Sequence, residues 1–156
     1  MTSTVSILRQ YGLWTTQGLC ITLLVQKYLG DITMCTGPSM LPTFNSIGDI
    51  VLIEHISWRW YRALSLGDVV VAVSPLDRTR IVCKRVLGLP GDRVLRDPTL
   101  PDSEMIKVPP GHVWLQGDNL THSTDSRAYG PLPMGLLRGK VYAKLWPSFT
   151  LIQSQQ

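Results

Sequence analysis

Gly67-Asp68-Val69-Val70-Val71-Ala72-Val73 joins a turn to a strand within one short stretch. The glycine supplies positive φ, and the aspartate caps the turn through its own side chain. The residues that follow favour β structure. Gly-Asp recurs at Gly48-Asp49, Gly91-Asp92 and Gly117-Asp118. The first two again lead into β-favouring runs, residues 50–53 and 93–95. Residues 80–87, 112–116 and 140–146 read as further strands, with His112 and Trp114 as strand residues. Short strands at fairly regular spacing, with eleven prolines breaking other options, predict a mainly β sandwich or barrel. Beyond the N-terminus no long 3.6-residue periodicity appears, and residues 134–138 make at most one helical turn. Residues 96–110 are polar and proline-rich and predict a small excursion from the core. Residues 154–156 read as a frayed end.

The chain has 156 residues, of which 44% are hydrophobic and 17% charged. That balance belongs to a folded domain with a sizeable core. Five tryptophans require burial, an interface or a membrane surface. The net charge of +4 comes from scattered lysines and arginines, so nothing demands nucleic acid. Acidic lipid head groups would explain it equally well. Three cysteines, Cys20, Cys35 and Cys83, cannot form a fully paired framework and read as free thiols. His55, His112 and His122 have no ligand spacing with one another or with the cysteines, so neither metal nor cofactor is expected.

Between Arg9 and Lys27 there is no charged side chain. A helix over residues 10–26 would span about 26 Å, just short of the roughly 30 Å hydrocarbon core of a bilayer. Trp14 and Tyr28 near its ends suit membrane interfaces. A transmembrane helix is the favoured reading of residues 1–30. A cleaved targeting segment and an amphipathic helix packed on the domain are the alternatives. Residues 31–152 then form the remaining domain.

Several chemical motifs are absent. Gly37-Pro38-Ser39-Met40-Leu41 lacks the second glycine of a nucleophile elbow. Gly135-Leu136-Leu137-Arg138-Gly139-Lys140 falls short of a phosphate-binding loop. His122 and Ser123 are chain neighbours and would point apart on an extended strand. Ser39 alone is ordinary turn chemistry, and an isolated lysine is usually a surface charge.

Three segments carry a specific signal together. They are Gly37-Pro38-Ser39-Met40-Leu41-Pro42-Thr43, Cys83-Lys84-Arg85-Val86-Leu87-Gly88-Leu89-Pro90-Gly91-Asp92, and Gly117-Asp118-Asn119 followed by Ser123-Thr124-Asp125-Ser126-Arg127. In this order, behind a hydrophobic segment, they resemble the motif boxes of type I signal peptidases. The likeness runs from the N-terminal segment to Trp146. Met34-Cys35-Thr36-Gly37, Cys83 before the lysine, and the run from Ser123 to Arg127 resemble the mitochondrial inner-membrane branch of that family.

The resemblance implies a membrane-bound serine endopeptidase that removes presequences from precursor proteins. Ser39 would be the nucleophile, Lys84 the general base and Ser123 the hydroxyl that orients the lysine. Asp125 and Arg127 would be a structural ion pair. Many bacterial members carry a serine where Gly37 stands, so the oxyanion hole would rest on backbone N–H groups such as that of Ser39. Met40, Cys83, Val82 and Cys35 would line the substrate pocket, with the peptide added as a strand near residues 33–38 and 80–83. A second peptidase subunit, the lipid bilayer and a catalytic domain facing the intermembrane space are implied as well.

The residues themselves agree with a lysine base. Free lysine titrates near 10.4, so burial must destabilise its ammonium before it can act near neutrality. On a strand Val82 shares the face of Lys84, while Arg85 points the other way. Two other readings stay open: a non-catalytic membrane-tethered β module that supports a partner peptidase, and a self-cleaving repressor-type Ser/Lys peptidase.

Overall fold

The computed structural model describes residues 2–56 and 64–152. The expected frayed end at 154–156 lies outside them, as do Trp58 and Trp60. The chain runs through helix α1 (Thr2–Tyr28) into strands β1 (Gly30–Cys35), β2 (Asp49–Glu54), β3 (Val69–Val73), β4 (Ile81–Gly88), β5 (Arg93–Leu95), β6 (Met105–Lys107) and β7 (His112–Gln116). A short helix α2 (Ser126–Tyr129) precedes β8 (Leu132–Pro133), β9 (Leu137–Trp146) and β10 (Thr150–Leu151). The sheet order is β1-β2-β9-β3-β4-β7-β8, with β10 added on β9. The pairings of this sheet are antiparallel. The mainly β expectation holds, and the six sequence-predicted strands all form. Residues 134–138 begin with a single 3-10 turn, Met134–Leu136.

Strand β3 divides the interior. Val70 and Ala72 pack with Val86, Val113, Leu115, Leu132 and Leu137 on one face. Val69 and Val71 pack with Met40, Phe44, Val51, Ile53 and Val141 on the other. A strand whose alternate side chains are all apolar can feed two cores at once. Register shifts interrupt β2–β9, β3–β9 and β4–β7, and such bulges bend strands.

The Gly-Asp turns repeat one device. Gly48, Gly67 and Gly91 have φ of 95°, 86° and 97°. The following carboxylates accept N–H groups just upstream: Asp49 from Asn45, Asp68 from Ser65 and Asp92 from Leu89. Gly117 departs from the pattern, and its role is packing.

Among the described residues β5 and β6 pair only with each other, as a separate two-stranded arm that overlaps the expected excursion at residues 96–110. Its base is seated by Val108, which is fully buried, and by Val94 against Gly88.

Residues 2–28 are helical, but no helix among the described residues is long and apolar enough to cross a membrane. The helix forms where it was expected, and its apolarity falls short of a clear span. The cause is the polar stretch Thr15-Thr16-Gln17 in mid-helix, although the Thr15 and Thr16 hydroxyls donate back to the Gly12 carbonyl. Of the described tryptophans Trp114 is 1% exposed and fills the core, while Trp14 and Trp146 lie at the surface.

A Cβ at Gly88 would stand 2.6 Å from Val94 Cγ1 and 3.1 Å from both Trp114 and Val108. Gly88→Ala is therefore expected to cost about 1–3 kcal/mol through overpacking. Thermal unfolding should register this as a lower Tm.

Candidate active site

Ser39 sits in a 3-10 turn, Pro38–Met40. Gly37 enters that turn at φ 111°, a conformation that favours glycine. Its N–H donates to the Ser46 carbonyl at 2.8 Å. Proline at the first position of the turn sacrifices no hydrogen bond. Met40 and Phe44 are buried beneath the turn. From the far side Asn119 holds two of its carbonyls: the Asn119 side-chain amide donates to Pro38 O at 3.1 Å, and its N–H donates to Ser39 O at 3.0 Å. The backbone around Ser39 is thus gripped from two distant parts of the chain.

Lys84 lies on β4 opposite Val70 of β3 and is 3% exposed. Val82 and Val86, two residues away on either side, share its face and pack into the first core. Burial pushes its pKa below the ordinary lysine value, against the opposing pull of Asp125, Cys83 and Asp118. Both of those carboxylates are engaged by arginines. Asp118 receives Arg85 Nε at 2.8 Å and Nη2 at 2.7 Å. Asp125 receives Arg127 Nε at 2.9 Å and Nη2 at 3.1 Å. Bidentate pairs of this kind are strong and directional. Arg85 leaves the Lys84 face as the alternation requires, and it also donates to the Gly67 carbonyl and Thr43.

Asp125 organises the segment beyond β7. It caps α2 through the Arg127 N–H and accepts the Gly117 N–H at 3.0 Å. Burial works to raise its pKa, but hydrogen bonds from Arg127 and Gly117 hold it below the usual aspartate range. Arg127 in turn donates to the Leu120 and Ser123 carbonyls. Asp97 of the arm approaches Arg127 at 3.8 Å. Gly117 fits where no side chain could, because a Cβ there would overlap the Ser123 side chain and the Ser39 carbonyl. Ser123 and Ser39 are therefore packed against one another's segments. Ser123 Oγ is buried and has no well-formed hydrogen-bond partner.

A cleft of about 210 Å³ runs between β1 and β4. Ser39, Met40, Lys84, Val82, Cys83 and Cys35 all line it, with Phe44 at its base. Ser123, Asp125 and Arg127 stand behind it rather than in its wall. A larger apolar hollow of about 750 Å³, between the end of α1 and β1, β2 and β9, contains neither Ser39 nor Lys84. No group of His, Cys, Asp and Glu that could hold a metal ion occurs among the described residues. Sequence reading did not foresee Phe44 or the link from Asp97 to Arg127. The sequence marks Asn119 only as a member of the Gly117-Asp118-Asn119 triplet.

Comparison with known proteins gives a consistent result. A family model described as signal peptidase, peptidase S26, matches residues 8–100 and 96–146. The mitochondrial inner membrane protease subunit 1 of Schizosaccharomyces pombe is 50% identical over 123 residues, 79% of this chain and 78% of that protein. The human protein of the same name is 48% identical over 138 residues, 86% of this chain and 80% of its own length. Subunit 2 from Schizosaccharomyces pombe is 34% identical over 128 residues, 81% of this chain and 71% of that protein.

The Asp125 network supports a stability prediction. Asp125→Asn leaves a largely buried guanidinium without its carboxylate and should cost about 3–5 kcal/mol. Because the folded pKa of Asp125 is depressed, its stabilisation is present above the unfolded value of about 3.9 and is lost as pH falls through the folded value. Chemical denaturation from pH 7 down to pH 2 should show the gap between wild type and Asp125→Asn shrinking in acid.

Proposed function

We propose that this chain, which belongs to the signal peptidase family, peptidase S26, is a presequence-cleaving serine endopeptidase of the mitochondrial inner membrane, with Ser39 as nucleophile and Lys84 as general base. The observation that carries the assignment is the buried Lys84 amine lining one cleft with Ser39, its pKa lowered by burial. Residues 31–152 form the peptidase domain in this reading, and residues 1–30 the anchor.

A serine hydroxyl needs a base to take its proton. Neutral Lys84 removes the proton from Ser39 Oγ as that oxygen attacks the scissile carbonyl. Negative charge develops on the carbonyl oxygen and is met by backbone N–H groups, that of Ser39 first. The Gly37 N–H is already spent on Ser46. The lysine ammonium then protonates the leaving amine, and an acyl-Ser39 ester remains. Neutral Lys84 next activates a water that hydrolyses this ester and restores the hydroxyl. Ser123 Oγ, buried and without a well-formed partner, is suited to hold the amine in line. Asp125 and Arg127 fix the segment bearing Ser123.

Among the described residues strand β1 is an edge of the sheet, which suits its outer side to accept an extended peptide. The peptide would run between β1 and residues 81–83, with the side chain before the cut against Met40, Cys35, Cys83 and Val82. Relatives named as subunits 1 and 2 support a second peptidase subunit as partner. Exposed Leu13, Leu19, Leu23 and Leu24 on α1, with Ile32 and Met34 on β1, support α1 as the segment that holds the enzyme at the bilayer. The reading puts the N-terminus in the matrix and the peptidase domain in the intermembrane space.

Cleavage of an inner-membrane precursor by the purified chain with its sister subunit tests the dyad. Ser39→Ala and Lys84→Met should each reduce kcat by about 10³-fold or more while remaining folded. Substantial cleavage by either variant would overturn the mechanism. The wild-type rate should rise with pH through a group titrating below the ordinary lysine value, since only the neutral amine is active.

Stability should separate from activity at the same residue. The depressed Lys84 pKa means that the fold disfavours the ammonium. That penalty is complete below the folded pKa and disappears above the unfolded value of about 10.4. Lys84→Met should therefore have a Tm at neutral pH higher than wild type, and the difference should narrow in alkali.

A further inference from the structure

Cys35 ends β1 and Cys83 lies in β4. Three strands separate these two in the sheet order, yet the curled sheet brings both to one cleft of about 210 Å³, where each thiol shifts the pKa of the other. Both are free and half-buried, both pack on the core that contains Met40 and Phe44, and both line the cleft that holds Ser39 and Lys84. The third thiol, Cys20, is exposed on α1. Two thiols that share so small a cleft are a candidate dithiol, and here each belongs to one of the two strands between which the peptide is read to run.

We propose that Cys35 and Cys83 form a reversible covalent modification site, which a low-molecular-weight disulfide oxidises to an intramolecular disulfide that shuts the cleft to peptide. The closure rests on the peptidase reading above; the dithiol chemistry does not. Cys35 is the attacking sulfur. The neighbouring Cys83 thiol lowers its pKa, while Cys35 and burial raise that of Cys83, and the thiolate is the reactive form. The Cys35 thiolate attacks one sulfur of the oxidant, a mixed disulfide forms, and the first thiol of the oxidant leaves and takes a proton. Cys83 then loses its proton and attacks Cys35 Sγ, expelling the second thiol. The protein gives up two protons and two electrons, and the oxidant leaves as two thiols. The new bond, about 2.05 Å long, ties the end of β1 to β4 at the mouth a peptide strand would enter.

The 156-residue chain in detergent, carrying Cys20→Ser so that one intramolecular pair remains, is treated with oxidised glutathione. Intact mass should fall by two hydrogens, and a non-reducing peptide map should join the Cys35 and Cys83 peptides. Precursor cleavage should drop by roughly 100-fold, the scale of loss when a substrate is misplaced by an ångström, and should return with dithiothreitol. Cys35→Ser and Cys83→Ser, each compared with its own reduced rate, should show no such loss. Binding of an uncleaved precursor peptide to the Ser39→Ala form, before and after oxidation, reads closure without catalysis. A stable glutathione adduct in place of the joined peptides would overturn the dithiol. A completed disulfide with undiminished peptide binding would overturn the closure. A reduced protein that binds peptide but never cleaves would count against the peptidase reading alone.

Discussion

The burial of β3 on both faces is the constraint on which the rest depends. Val69–Val73 are buried throughout, and alternate side chains enter different cores. A one-residue slip would exchange the two sets and misplace every strand paired to it. The register that avoids this sets Val70 opposite Lys84 and Val71 opposite Cys83. One core thus receives the face that carries Lys84, and the other receives Cys83. The site's lysine is a consequence of how the interior is divided.

Burying an amine is costly, and the surrounding charges are arranged so that the cost is not relieved by an ion pair. The carboxylates whose charge reaches Lys84, Asp125 and Asp118, are committed to Arg127 and Arg85. Each arginine also donates to backbone carbonyls, which fixes its plane. Unspent carboxylates would stabilise the ammonium and raise the lysine pKa again. The same two pairs secure the segments that carry Gly117, Asn119 and Ser123. Neutralising charge near the lysine and positioning the proposed nucleophile are therefore one network. Asp97 joins that network from the arm, which makes the arm a support for the site.

Much of the fold was legible in the chain. The Gly-Asp pairs marked turns because positive φ and a capping carboxylate are local demands. The valine-rich runs marked strands because β-branched residues suit a pleated, buried surface. The candidate dyad was legible only through three segments in order, since Ser39 or Lys84 alone would pass for a turn residue and a surface charge. Less local features escaped. Gly30–Cys35 became a strand although a glycine and an aspartate open it, because pairing with β2 along its length outweighs weak propensity. The helix over residues 2–28 was expected, but its threonines and Gln17 leave it short of a clear membrane span.

The sequence by itself determined what neighbouring residues can decide: turns, strands, the alternation that separates Lys84 from Arg85, and the motif order that marks a signal peptidase. The tertiary structure alone decided which distant groups meet. It set the Asn119 clamp on the Pro38 and Ser39 carbonyls, the fit of Gly117 against the Ser39 carbonyl, and the placing of Cys35 and Cys83 on one cleft across a curled sheet. These contacts join residues tens of positions apart. Their geometry depends on sheet register and curvature, which sum the packing of both cores and are carried by no single stretch of chain.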